Sequence, residues 1–175
     1  YAYDNDFDIL RKVKTREEYS ATQEKYEEGI TLARNVGNEC LIKKAYSKVI
    51  MMTSAVGLFG ITEYYYGKMI ELVEGDIELA NIKNGQGYGY CTSRKFVEAN
   101  ESYNTSLSIY MKNNDIKSAG ETLYNMSLNC ILAGDYHNAY NYLKVCVRIV
   151  EKMRLNDLRV CNIAKLYGLL ALSSC

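Results

Sequence analysis

Proline and tryptophan are absent from this chain of 175 residues, and it contains a single histidine, His137. About nine prolines would be expected at ordinary usage. Their absence excludes proline-rich linkers, so turns must be made by Gly, Asn and Asp. Because no two cysteines stand in a C-x-x-C arrangement, the lone histidine cannot complete a Cys/His zinc set. No serine or cysteine stands beside it in a catalytic pattern.

Long apolar runs and an excess of one charge are also missing. The longest uncharged stretch, Val49 to Thr62, includes polar residues and two glycines, so the sequence predicts no membrane insertion. Lys and Arg number 21 against 21 Asp and Glu, which gives no sign of direct nucleic-acid binding. The hydrophobic fraction of 48% is that of a globular protein with a real core.

The cysteines show no metal-binding or disulfide pattern. No two of them stand in a C-x-x-C arrangement, and all fall at helical positions, where free cysteine behaves as a small buried hydrophobe. We predict reduced thiols in the core of a cytoplasmic protein, with no cofactor. They are Cys40, Cys91, Cys130, Cys146, Cys161 and Cys175.

Pairs of turn residues divide the chain into stretches with apolar residues at helical spacing. Each pair sets a residue that ends helices beside a good N-cap, as in Gly37-Asn38 and Gly134-Asp135. The same signal recurs at Gly75-Asp76, at residues 113–115 and at Asn156-Asp157. The pattern predicts an all-α protein.

Apolar, small and aromatic residues recur along the chain with a period of about 40 residues, which is the range of helical repeat proteins. One set reappears in the same order one period later: Phe96, Ala99, Tyr103, Ser106 and Leu107 return as Tyr136, Ala139, Leu143, Cys146 and Val147. One earlier join, from Thr62 to the corresponding Ala99, is slightly shorter than this period. Stacked helix pairs produce such repetition because each pair buries a face against the next.

Residues 120–151 carry a family resemblance. Met126-Ser127 follow the pattern of a large residue and then a small one in a first helix, Gly134-Asp135-Tyr136 form the turn, and Ala139 is the small residue of a second helix. This segment resembles the tetratricopeptide repeat, in the longer form of about 40 residues seen in bacterial regulatory and sensor proteins. It departs from the family in lacking proline at the repeat's end, where Glu151 stands.

The resemblance implies an α-solenoid, a right-handed superhelix of antiparallel helix pairs, in one array over residues 1–175. We expect about nine helices, in pairs at about 4–36, 38–75, 76–112 and 115–153 and a half repeat at 157–174. Because the chain begins at Tyr1 and ends within a repeat, we expect it to be a fragment of a longer protein. Its open last half repeat is a possible surface for homo-oligomers.

Two motifs invite a chemical reading that the rest of the sequence does not support. Gly85, Gly87 and Gly89 lack the Lys-Ser/Thr of a phosphate loop, so we interpret Gly87 as the small residue of a first helix. The aspartates at 4, 6 and 8 lack the glycine and the closing glutamate of a calcium loop. We therefore predict no enzyme in this segment.

The resemblance also implies where a ligand would bind. In such arrays the first helix of each pair lines the concave face, and Asn and Tyr side chains there suit an extended peptide. Ser47, Met51 and Cys91 are placed on the same helix faces. The candidate groove residues are Lys44, Lys48, Asn84, Tyr88, Glu121, Tyr124, Asn125, Leu128, Asn162 and Lys165.

Three hypotheses for the function follow. The first is a protein- or peptide-binding repeat module that forms the sensory or regulatory part of a larger bacterial signalling protein. The second is a cytosolic receptor for a peptide pheromone. The third is an accessory domain of a nucleotide cyclase similar to diguanylate cyclases, with its catalytic domain outside this segment.

Overall fold

All regular structure in residues 16–153, which the computed structural model describes, is α-helix, so the all-α prediction is confirmed. The predicted partner helix near residue 4 and the half repeat at 157–174 lie outside the described residues, as do Asn162 and Lys165. The chain divides after Glu74 into two compact units. The helices are α1 Arg16–Asn35, α2 Glu39–Ala55 and α3 Phe59–Ile70 in the first unit, and α4 Asp76–Thr92, α5 Phe96–Lys112, α6 Ile116–Ala133 and α7 Tyr136–Met153 in the second.

Five helices end in the same way. In the described part, each of these helices is followed within two residues by a residue with a φ between 56° and 81°. These residues are Gly37, Gly57, Arg94, Asn114 and Gly134. The next N–H along the chain then donates to the carbonyl five residues back, as from Asp135 to Cys130 at 2.8 Å, which is the Schellman form of helix end. Arg94, Asn114 and Gly134 are evenly spaced along the chain, at half the sequence period. The number of residues from Gly57 to Arg94 equals the number from Thr62 to Ala99, the interval that is shorter than the period.

Side-chain caps begin three of the helices at predicted turns. Asn38 accepts from the N–H of Leu41, and Asp115 accepts from that of Ser118, both at 3.1 Å. Asp135 accepts from the N–H and the side chain of Asn138, and these bonds lower the pKa of its carboxyl. At the fourth turn Gly75 is itself the N-cap and Asp76 is in the first turn, where a negative charge favours the helix dipole.

The turn at Arg94 offers a stability prediction. A non-glycine residue in the left-handed region lowers the free energy of unfolding by about 1–2 kcal/mol relative to glycine. Glycine loses part of this advantage because it gives up more conformational entropy on folding. We expect Arg94→Gly to raise the free energy of unfolding by about 0.5–1 kcal/mol, measured by urea denaturation. Asn114→Gly is the matched control and should gain less, because asparagine tolerates this conformation. A loss of stability in Arg94→Gly would contradict the reading of this turn.

The core of the second unit repeats its contacts from one helix pair to the next. Ala99 and Ala139, predicted at the close helix crossings, are fully buried. Ser106 Oγ donates to the carbonyl of Ala80 at 2.8 Å, and at the equivalent place in the next pair Cys146 Sγ donates to that of Gly120 at 3.3 Å. The core cluster consists of Cys91, Ala99, Tyr103, Leu123, Met126, Cys130, Ala139, Leu143 and Cys146.

Threonines and tyrosines pack the first unit. Thr62, which stands where the next repeat has the small residue Ala99, donates from Oγ1 to Thr53 Oγ1 at 2.7 Å. Both threonines are buried, so this hydroxyl pair fills the helix crossing. Tyr46 is also buried, its ring centroid lies 5.3 Å from that of Tyr65, and its hydroxyl accepts from Arg34 at 2.7 Å.

Three of the four described cysteines are buried free thiols, as predicted. Burial raises the pKa of Cys130 and of Cys146 to about 11, so these thiols stay protonated at neutral pH. Cys40 is exposed, and the prediction that it is a core residue is wrong. It is the second residue of α2, where the outward side of the first turn carries Cys40 and Leu41.

Candidate functional site

The predicted groove residues of the first unit lie on one stripe of α2. Lys44 and Ser47 are exposed, Met51 is 36% exposed, and Lys48 is half-buried. The opposite stripe of this helix is buried and includes Tyr46 and Val49.

In the second unit, α4 and α6 bring two predicted residues into direct contact. Asn125 Nδ2 donates to Asn84 Oδ1 at 3.2 Å, joining the first helices of two successive pairs. Both asparagines are half-buried. Glu121, one turn before Asn125 on α6, is also half-buried.

The opposite face of α6 forms the core, as predicted. Leu123, Met126 and Cys130 are at most 6% exposed. Cys91 on α4 is also 6% exposed and belongs to the same core cluster, so its predicted place on the groove face is wrong. It lies one turn after the buried Gly87, at i+4, and so shares the core-facing side of α4.

Apolar side chains flank the asparagine pair. Tyr88, one turn after Asn84 on α4, is 60% exposed and leaves most of its ring accessible. Tyr124 and Leu128 pack partly against the core cluster, and burial raises the pKa of the Tyr124 phenol. The α4/α6 face therefore combines an accessible aromatic ring, a partly buried apolar floor and a carboxamide pair.

The hydrogen bond between the carboxamides fixes which polar atoms remain for a ligand. Asn125 uses a donor and Asn84 uses its acceptor, so Asn84 Nδ2 keeps donors and Asn125 Oδ1 keeps acceptor capacity. One donor beside one acceptor is the complement of a peptide backbone, whose carbonyl accepts and whose N–H donates.

Residues excluded as catalytic have structural roles or lie at the surface. Gly87 is buried, and a Cβ built on it would lie 2.7 Å from two ring atoms of Tyr103, so this glycine serves packing. His137 is exposed in the first turn of α7. Within the described residues, no group of three or more Cys, His, Asp or Glu side chains is placed to hold a metal ion. None of the described helices is both long and apolar enough to span a bilayer.

One surface feature was not among the predicted sites. An open depression of about 580 Å³ runs along α1, and the described residues lining it are Glu24, Glu27, Glu28, Thr31 and Leu32. Glu24, Glu27, Glu28 and Thr31 stand at i, i+3, i+4 and i+7. The spacing in the sequence alone therefore places the three glutamates on one face of α1. Leu32 is 65% exposed there.

No protein-family description matches the chain, and no curated protein matches it significantly.

Proposed function

We propose that this chain is a peptide-binding helical repeat module, and that the α4/α6 face of its second unit is part of the groove. The observation that carries the proposal is the Asn125–Asn84 hydrogen bond beside the exposed ring of Tyr88. An extended peptide would meet a donor and an acceptor for its backbone, and an aromatic surface for a side chain.

The wider architecture of the proposal is a right-handed solenoid similar to tetratricopeptide-repeat arrays. Its support is the regular recurrence of the helix ends, and of the Ser106 and Cys146 contacts, in step with the sequence period. We propose a cytoplasmic location, which suits the buried free thiols. The module would be the sensory part of a larger signalling protein.

The test is a selection from a random peptide library displayed on phage, with the chain as target, followed by calorimetric titration of an enriched peptide. We expect Tyr88→Ala to weaken that peptide's binding by about tenfold, because a desolvated aromatic contact is lost. Tyr140→Ala is the matched control: Tyr140 is 46% exposed on α7, a second helix of its pair, and its loss should leave affinity unchanged. Failure to enrich any peptide, or equal effects of the two variants, would count against the groove.

A further inference from the structure

Two side-chain oxygens, one on α5 and one on α6, are buried and accept no hydrogen bond within the described part of the protein. They are Oδ1 of Asn100 and Oδ1 of Asn129. Asn129 as a whole is 2% exposed. A buried carbonyl oxygen that finds no donor keeps the full cost of its lost hydration, so such atoms normally have a partner.

A hydrogen bond brings the Asn129 side chain to the turn of α5 that precedes Asn100. Asn129 Nδ2 donates to the carbonyl of Phe96 at 2.9 Å. Phe96 is one turn before Asn100 on α5, so this bond holds the Asn129 side chain against the helix face that carries Asn100. Because Nδ2 is committed to Phe96, the orientation of the Asn129 carboxamide is set, and its oxygen is left for another donor.

The repeat packing does not require this arrangement. At the position equivalent to Asn129 in the preceding helix pair the chain has Gly89, a buried glycine with no side chain to satisfy. Asn129 is thus a polar residue introduced at one helix contact and not a constant part of the repeated core.

We propose that Asn100 Oδ1 and Asn129 Oδ1 form a binding site for one buried water molecule, which donates one hydrogen to each oxygen. Two acceptors cannot bond each other, and water is the smallest molecule with two donors. Two neutral oxygens are far fewer ligands than a hard cation takes. The inference does not depend on peptide binding, although the water would brace α6 one turn after Asn125.

A crystal structure that resolves ordered water tests the site directly. We expect one water within hydrogen-bonding distance of both oxygens. A structure in which protein groups donate to the two oxygens, or in which they bind separate waters or a metal ion, would overturn the proposal.

A double-mutant cycle gives an independent test in solution, with urea midpoints measured for Asn100→Leu, Asn129→Leu and the double variant. If one water serves both residues, either substitution releases it, so the double variant should shift the midpoint by less than the sum of the single shifts. Asn104→Leu, at an exposed position of α5, replaces Asn100→Leu in a matched control cycle and should be additive with Asn129→Leu. Additive shifts in the main cycle would refute a shared water, and the crystal structure decides if a variant does not fold.

Discussion

Gly87→Val is expected to lower the free energy of unfolding by about 3 kcal/mol, the upper part of the range for overpacked cores. A Cβ at this position would lie 2.7 Å from Cδ1 and Cε1 of Tyr103 and 3.0 Å from Cγ. Tyr103 is 1% exposed, so its ring has no solvent-filled space to move into. Valine adds two further methyl groups to this clash, and α4 and α5 must separate to accept them.

Gly29→Val is the matched control for this substitution. Gly29 lies within α1, is exposed, and has no atom within 4 Å of a built Cβ. There we expect a change of less than about 0.5 kcal/mol, because valine and glycine differ modestly in helix propensity. Both variants are compared with the parent by urea unfolding followed by circular dichroism. Equal effects at the two glycines would show that Gly87 does not set the approach of α4 and α5.

The repeat provides a compensating change. At the positions equivalent to Gly87 and Tyr103 in the next helix pair the chain has Ser127 and Leu143, both fully buried. Gly87→Ser combined with Tyr103→Leu copies that pair. The loss of unfolding free energy in the double variant should be smaller than the sum of the losses in the two single variants, by about 1 kcal/mol or more. Additive losses would mean that the two repeats are not packed alike.

Much of the fold could be predicted because its signals are local. Gly134-Asp135 combines a residue that accepts positive φ with an N-cap, and the structure has both. No Gly or Asn marks the turn at Arg94, so turn residues do not predict it, and its position follows from the spacing of the helix ends. Gly87 and Ala99 were predicted as packing residues because small residues recur in phase with large ones.

The contacts of the site were not predictable in the same way. The sequence indicates that Asn84 and Asn125 lie on outward faces of their helices, but their hydrogen bond depends on the spacing between α4 and α6, which the core between them sets. Asn129 stands two turns after Thr122 on a stripe of buried residues of α6. Nothing in the sequence distinguishes it from other polar residues within such a stripe. Only the structure shows that its oxygen is buried without a donor among the described residues. For these asparagines the contact depends on how two helices are placed, which spacing along a single helix does not encode.

Asn84→Ala and Asn125→Ala should each weaken the selected peptide's binding by about 2 kcal/mol, or about 30-fold. In each case a ligand backbone group would lose its partner in a partly desolvated groove. The double variant should bind hardly worse than either single one. The reason is the bond of 3.2 Å between them: it orients both carboxamides, so removing one lets the other rotate away from the ligand.

Stability measurements separate this role from a purely structural one. Each substitution removes one hydrogen bond between half-buried groups, and we expect a loss of about 0.5–1.5 kcal/mol in the free energy of unfolding. If Asn125 were exposed and lacked this bond, Asn125→Ala would leave stability unchanged or slightly raised. Asn104→Ala, at an exposed position on α5, is the control and should change neither stability nor affinity. Strictly additive binding losses would show that the asparagines act separately. A large loss of stability with unchanged affinity would make the pair a structural brace and remove it from the groove.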